Sequence, residues 1–139
     1  MTKLMKTGKM MKTMNGKTNN PVTLQDLFNI QMKNQSKMLQ EGMYDMFKNE
    51  STTTIPVDDV KLMSYHIQQL MSEIGEVLDA DKRWKNFRNT KYDEAAKLEE
   101  IADCFIVLMN VVMFSGFDGV QLTEAIENKL NKVSKGIGA

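Results

Sequence analysis

Four acidic residues form two pairs whose spacing suits metal chemistry. Glu73 and Glu76 stand three residues apart in SEIGEVLD, and Glu100 and Asp103 have the same spacing in EEIADCF. In an α-helix, this spacing places both carboxylates of a pair on one side. Four carboxylates gathered beside apolar surface repel one another and lose hydration, a conflict that a hard divalent cation resolves. The pattern favours a Mg²⁺ site.

The residues around the acids bear on that interpretation. Beyond Asp103, the same side of the helix continues with Val107, Asn110 and Phe114, so we expect it to pack against another element. The chain has one cysteine and one histidine, which excludes a disulfide framework, a cysteine-based zinc site and a multi-histidine centre. The alternative interpretation is that these acids are solvated helix residues paired with nearby lysines.

Helical periodicity predicts the elements that carry the acids. The predicted helices run from about Leu24 to Gln40, from just after Pro56, from a cap near Asp93 to Gly116, and from a cap at Asp118 onward. The first starts with a capping box of Thr23 and Asp26, and Asp58 and Asp59 are expected in the first turn of the second. No stretch alternates with period two. The predicted fold is an all-α four-helix bundle.

The apolar spacing also predicts which faces form the core. The expected core face of the second helix comprises Ile67, Leu70, Met71, Ile74, Val77 and Leu78. That of the third comprises Leu98, Ile101, Ala102, Phe105, Leu108, Met109 and Val112. Because the third helix has apolar residues on more than one face, we expect the surplus to be buried against a second copy, in a homodimer or a dimer of dimers.

Charge and hydropathy limit the remaining possibilities. The chain balances 18 basic against 18 acidic residues, so stable nucleic-acid binding is not expected. Residues 1–20 carry five lysines and no acid, and they are expected to be a disordered basic tail preceding one domain at 21–139. No apolar run approaches the ~20 residues that span a bilayer. Together with the single cysteine, this predicts a cytoplasmic protein without a membrane partner.

The two acidic pairs resemble a known group of enzymes. ExxE on one helix and ExxD on the next, joined by a link containing KRWKN, are similar to the all-α nucleoside triphosphate pyrophosphatase superfamily. This superfamily includes the dimeric dUTPases, the phage dCTPase/dUTPases and the MazG-like enzymes. The resemblance covers about residues 24–133. It implies that Glu73, Glu76, Glu100 and Asp103 bind Mg²⁺, and that a nucleoside triphosphate is hydrolysed to its monophosphate and pyrophosphate in a bacterial or phage-infected cell.

The resemblance also implies a set of substrate-binding residues. In the link, Lys82 and Lys85 would face the triphosphate, with Trp84 between them. In LFNIQ, Gln31 would line the nucleoside pocket, and in GFDGVQLTEAIENKL, Lys129 would contact phosphate. The chain departs from the dUTPase pattern on the base-reading side, at Asn34, Gln35, Ile106, Ile126 and Leu130. The preferred base therefore stays open between a dUTPase/dCTPase-like enzyme and a broader MazG-like one.

Several of these residues also have plainer interpretations. Trp84 could pack at a helix end, and Gln31 could bond to nearby backbone. His66 is expected at the edge of the core without a partner, and Cys104 is expected to be a small buried hydrophobe. For the whole chain, the alternative is a non-enzymatic helical interaction protein with no metal requirement. A fold that has lost activity and acts as a regulator ranks lower, because all four acids are present.

Overall fold

The structure is a computed structural model that describes residues 21–47, 54–87 and 90–138. These ranges contain four α-helices, numbered in chain order: α1 Leu24–Gln40, α2 Val60–Ala80, α3 Glu94–Phe114 and α4 Gly119–Gly138. Short 3₁₀ segments lie at Asp45–Phe47 and Lys82–Phe87, and no β-strand occurs in the described ranges. None of these helices is long and apolar enough to cross a bilayer. The predicted all-α class with four helices is confirmed, and the predicted tail at 1–20 lies outside the described residues.

Side-chain caps begin the helices where the sequence predicts them. The Thr23 hydroxyl accepts a hydrogen bond from the Asp26 backbone N–H (3.1 Å), and the Asp26 carboxylate accepts one from the Thr23 N–H (2.9 Å). Asp93 and Asp118 likewise accept bonds from the first turns of α3 and α4. These oxygens satisfy N–H groups that have no partner within the helix. Positive φ angles of 75° and 86° occur at the glycines that follow α1 and α3, Gly42 and Gly116.

The start of α2 differs from the prediction. The helix begins at Val60, and Asp59 is its cap, accepting a hydrogen bond from the Leu62 N–H (3.1 Å). Asp58 instead pairs with Ser115 in an isolated β-bridge, and the Asp59 N–H donates to the carbonyl at the end of α3 (2.9 Å). Because this backbone is extended and bonded to α3, it cannot enter the helix. The same bonds tie the start of α2 to the end of α3, so the two helices run antiparallel.

The pairing of α2 with α3 dominates the packing, and α1 contacts both α3 and α4. One buried cluster joins Tyr44, Leu62 and Phe114, with Met38, Ile55 and Val57 among the partly buried residues packed on it. The other buried apolar residues of the described chain are Phe28, Val107 and Met113. This core is small, and it lies on one side of the α2–α3 pair.

The faces that α2 and α3 bury differ in part from the predicted core faces. The acid-bearing side of α3 is buried beyond the acids, at Val107, Asn110 and Phe114, as expected. The predicted core face of α3 is instead exposed at Leu98, Phe105 and Leu108, and that of α2 at Ile67, Met71, Ile74 and Leu78. That expectation is wrong because both helices carry more apolar residues than one packed side can cover, so periodicity alone does not identify the inner face.

Candidate metal centre

Three of the four predicted acids meet between α2 and α3. Glu73 and Glu76 lie one turn apart on α2, and Glu100 lies opposite them on α3. One carboxylate oxygen from each lies within 4.8 Å of the others. We call these three residues the acidic cluster. Glu73 and Glu100 are half-buried and Glu76 is exposed. The three-residue spacing and the antiparallel pairing of the helices together produce this arrangement.

The fourth acid, Asp103, lies beside the cluster and not within it. It is one turn from Glu100 along α3, it is exposed, and it is not among the three carboxylates that lie within 4.8 Å of one another. Its charge nevertheless contributes to the raised pKa values of Glu73 and Glu100. The charge of Asp103 therefore acts on the cluster, although its carboxylate is not part of it.

Crowding of like charges sets the electrostatics of the cluster. Burial raises the pKa of Glu73, and the charges of Glu76 and Asp103 raise it further. The pKa of Glu100 is raised first by a hydrogen bond shared with Glu76, and then by burial and neighbouring carboxylates. The Oε2 atom of Glu100 is buried and accepts no hydrogen bond in the described chain. Two carboxyl groups this close need either a shared proton or a cation between them.

Cys104 lies next to the cluster in sequence and is half-buried. Burial raises the pKa of its thiol, and the charges of Glu73, Asp103 and Glu100 raise it further. The thiol is therefore protonated at neutral pH, which suits neither a nucleophile nor a ligand of a hard cation. This agrees with its predicted passive role, although the residue is less buried than expected.

Gln31 lies on α1 and points to α3. Its Nε2 donates to Oδ1 of the buried Asn110 (2.9 Å), and its Oε1 accepts a hydrogen bond from Asn34 (3.2 Å). The plainer expectation of a bond to nearby backbone is therefore wrong. Asn110 lies two turns from Asp103 on the same side of α3, so the Gln31–Asn110 pair continues the acid-bearing face. The only signal for Asn110 in the sequence is an amide within an otherwise apolar run.

An ion-pair network holds the link between α2 and α3. The buried Asp81 accepts hydrogen bonds from Arg83 (2.7 Å) and from Lys97 on α3 (2.8 Å), and both cations lie over the Tyr92 ring. The bonds from Arg83 and Lys97 hold the pKa of Asp81 well below its usual range. None of these four residues was predicted to have a role. Their contacts fix where the link leaves α2 and where it reaches α3.

The link presents its predicted substrate residues to solvent. The Trp84 indole N–H donates to the Leu78 carbonyl at the end of α2 (2.9 Å), while 55% of the residue is exposed. Both a packing role and an exposed ring face are therefore present. Lys82 and Lys85 are exposed. Lys129 is exposed on α4, and it forms no ion pair with the acidic cluster.

His66 is fully buried and has a partner, contrary to the prediction. Its Nε2 lies 3.3 Å from the Tyr44 hydroxyl, which donates its own proton to Gln35 (2.5 Å). His66 Nε2 is therefore the donor, and the buried Nδ1 has no partner among the described residues. The ring stacks on Phe114 with centroids 5.2 Å apart. Burial lowers the pKa of His66 to about 4.

No family model, curated protein or solved structure matches this chain. The resemblance of its acidic pairs and link to the all-α pyrophosphatases therefore rests on the residues themselves.

Proposed function

We propose that this protein is a Mg²⁺-dependent nucleoside triphosphate pyrophosphatase, which hydrolyses a deoxynucleoside triphosphate to its monophosphate and diphosphate. The observation that supports this most is the meeting of Glu73, Glu76 and Glu100 from two helices, with one buried Glu100 oxygen left without a partner. A buried acceptor among like charges is costly unless something positive lies against it. The preferred substrates in this proposal are dUTP or dCTP, and a broader MazG-like range is the alternative.

The donor set fits magnesium. It offers carboxylate oxygens only, part of the cluster is open to water, and Asp103 lies beside it, which suits an ion that retains several water ligands. When bound, Mg²⁺ neutralises phosphate charge and acidifies water. Glu73, Glu76 and Glu100 would hold the ion directly, with Asp103 acting directly or through water. A glutamate of the first pair, Glu73 or Glu76, would orient the attacking water and accept its proton.

The remaining residues divide between the two ends of the substrate. Lys82 and Lys85 on the link are exposed and free to follow the triphosphate as mobile charges. At the other end, the Gln31 and Asn110 amides offer donors and acceptors to a base, and Trp84 offers a ring face. Lys129 enters the proposal as a phosphate contact only if another copy of the chain brings it to the cluster, because within one chain α4 packs on α1.

The experiment is pyrophosphate release from a panel of deoxynucleoside and ribonucleoside triphosphates, with Mg²⁺ or with EDTA. We expect Mg²⁺-dependent turnover, which Glu76→Gln and Glu100→Gln each reduce by a factor of about 100 or more while the helical circular dichroism signal is retained. The matched control is Glu124→Gln, since Glu124 and Glu127 form an exposed pair with the same spacing on α4. Absence of turnover with every triphosphate would contradict the proposal.

The exposed apolar faces favour a second candidate, a non-enzymatic helical interaction protein. Large side chains such as Met71, Leu98 and Phe105 are about two-thirds exposed, as on a surface that receives a partner helix. On this hypothesis, Glu76→Gln relieves repulsion, stabilises the fold and leaves partner binding intact. The same variant therefore distinguishes the two functions.

A further inference from the structure

The ion-pair network at Asp81 contains more positive than negative charge. Asp81 is buried, and Arg83 alone bonds both of its carboxylate oxygens, with Nε 2.9 Å from Oδ1 and Nη2 2.7 Å from Oδ2. Lys97 adds a second cation, because its Nζ also donates to Oδ2 (2.8 Å). One carboxylate therefore holds two positive charges, of which the first already satisfies it.

The acidic cluster has the opposite imbalance, one helical turn away. Lys97 and Glu100 are three residues apart on α3, so their Cβ atoms lie about 5–6 Å from each other on one side of the helix. Glu100 Oε2 is buried and accepts no hydrogen bond in the described chain, and Glu73 and Glu76 place two further carboxylates beside it. Such an acceptor gains most from a nearby cation. The local spacing therefore favours a pair between Lys97 and Glu100, which the structure does not form.

Two contacts hold Lys97 in its observed position. Its Nζ donates to Asp81 and lies 5.2 Å from the centroid of the Tyr92 ring, whose face attracts a cation. Asp81 is itself fixed, since it is the residue at which α2 ends and it also accepts a hydrogen bond from the Arg83 backbone N–H (3.2 Å). The side chain of Lys97 is 30% exposed, so packing does not confine it. The contacts with Asp81 and Tyr92 therefore determine its direction.

A lysine at the acidic cluster would compete with a divalent cation. An ammonium group against Glu100 would neutralise one carboxylate and donate hydrogen bonds to the oxygen that lacks a partner. A Mg²⁺ ion needs the same oxygens, and it would have to displace the ion pair before it could bind. A pair between Lys97 and Glu100 would therefore inhibit metal binding from within the chain.

We infer that Asp81 is a positioning residue, which holds Lys97 away from Glu100 and so leaves the acidic cluster open to a divalent cation. Asp81 touches neither the ion nor a substrate in this arrangement, because it acts through Lys97. The inference rests on the proposed function for the identity of the ion. The restraint on Lys97 itself does not depend on whether triphosphates are hydrolysed.

The first test is calorimetric titration of Mg²⁺ into the full chain. Asp81→Asn keeps the shape of the side chain but not the charge that holds Lys97, so its dissociation constant for Mg²⁺ should rise by about tenfold. Lys97→Met removes the competitor and should bind Mg²⁺ at least as tightly as the wild type. If Asp81 only joined the two helices, Lys97→Met would weaken binding as well, because it breaks the same connection. That result would overturn the inference.

Two double variants separate the restraint on Lys97 from general electrostatics. Asp81→Asn/Lys97→Met should regain the wild-type affinity for Mg²⁺, whereas the matched control Asp81→Asn/Arg83→Gln should not. Both remove one positive charge from the network, but only Lys97 lies one turn from Glu100 on α3. Equal recovery in the two, or recovery in neither, contradicts the inference. Circular dichroism checks that every variant keeps its helices.

A second readout needs neither metal nor substrate. A double-mutant cycle of Lys97→Met and Glu100→Gln, measured by urea unfolding in EDTA, gives the coupling between these residues. We expect the coupling to be several-fold stronger in the Asp81→Asn background than in the wild type, and equal coupling in the two backgrounds would refute the restraint. Absence of Mg²⁺ binding to the wild type would overturn the metal site together with the role inferred for Asp81. Mg²⁺ binding without triphosphate hydrolysis would contradict the proposed enzymatic function alone.

Discussion

At the scale of single residues, the pKa values of His66 and Glu100 are shifted in opposite directions from their ordinary values. His66 is held neutral, because its ring is enclosed by Tyr44 and Phe114 and its Nδ1 has no partner to accept a proton from it. Glu100 instead retains its proton to a higher pH, because it faces Glu76 and other carboxylates. The first residue favours a stable fold near neutral pH, and the second favours binding of a cation.

The burial of His66 predicts a specific loss of stability in acid. Its pKa is about 4 in the folded chain, against an ordinary value of 6.5. Between these values the unfolded chain binds the extra proton, so the free energy of unfolding decreases as the pH falls from 6.5 to 4 and is unaffected by this group above that window. The loss over the whole window is on the order of 3 kcal/mol, because the two pKa values differ by about 2.5 units at ~1.4 kcal/mol per unit.

The measurement is urea unfolding at pH 7 and at pH 4.5, for the wild type and for His66→Phe. The variant keeps a ring against Phe114 but cannot titrate, so its stability should fall less than that of the wild type over the same interval. Other groups that titrate there, including Glu73 and Glu100, are common to both proteins and cancel in the difference. Equal losses in the two proteins would show that His66 is not the group responsible.

At the scale of elements, the acidic cluster joins α2 to α3, so a cation bound there holds the two helices together. On the proposed magnesium site, Mg²⁺ at 100 times its dissociation constant should stabilise the fold by about 2.7 kcal/mol. EDTA should reverse the effect. Because the pKa values of Glu73 and Glu100 are raised, binding should weaken as the pH falls, by up to about tenfold per unit for each carboxyl that must lose a proton.

Thermal unfolding with Mg²⁺ or EDTA, at pH 7.5 and 5.5, measures this linkage. Glu100→Gln should unfold at a higher temperature than the wild type in EDTA, because it removes repulsion, and should lose most of the response to Mg²⁺. Glu124→Gln should behave as the wild type. A melting temperature that does not respond to Mg²⁺ at millimolar concentration would be evidence against the site.

The starts of α1, α3 and α4 were predictable from the sequence, whereas the core faces assigned to α2 and α3 were not. Caps such as Thr23 and Asp93 act on backbone within one turn, so local sequence contains the information. Which side of α3 is buried depends on where the neighbouring helices lie, and the apolar residues of α3 alone do not indicate that position. Helix periodicity places each acidic pair on one side of its helix, and the antiparallel pairing of α2 with α3, which the sequence did not predict, brings Glu73, Glu76 and Glu100 together while Asp103 stays beside them.

The interactions that the sequence did not reveal join residues far apart along the chain. Gln31 and Asn110 are 79 residues apart, Tyr44 and His66 are 22 apart, and Lys97 reaches Asp81 across the link. Each depends on the way the helices cross, which single-helix patterns do not determine. The predicted start of α2 was wrong for the same reason. The residues that precede this helix form hydrogen bonds with the end of α3, which is distant in the sequence.

At the scale of the whole molecule, the small size of the core accounts for the exposed apolar faces, because apolar residues that the core does not bury remain on the surface. Six apolar residues are buried in the described chain, while large apolar residues on α2, α3 and α4, such as Met71, Phe105 and Leu130, are more than half exposed. If a second copy of the chain covers these residues, as the sequence leads us to expect, part of the folding free energy comes from association. Stability then depends on protein concentration.

Unfolding of the dimer to two unfolded chains should therefore shift with concentration. Each tenfold increase in chain concentration adds about 1.4 kcal/mol to the stability per dimer. The urea midpoint should therefore rise steadily between about 1 µM and about 100 µM of chain. Leu130→Glu should show a lower midpoint that does not change with concentration, because its unfolding involves one chain only. Asn128→Glu, on the opposite side of α4 from Leu130, is the control and should follow the wild type. A wild-type midpoint that is constant over this range would mean that the exposed faces contribute nothing to folding through self-association.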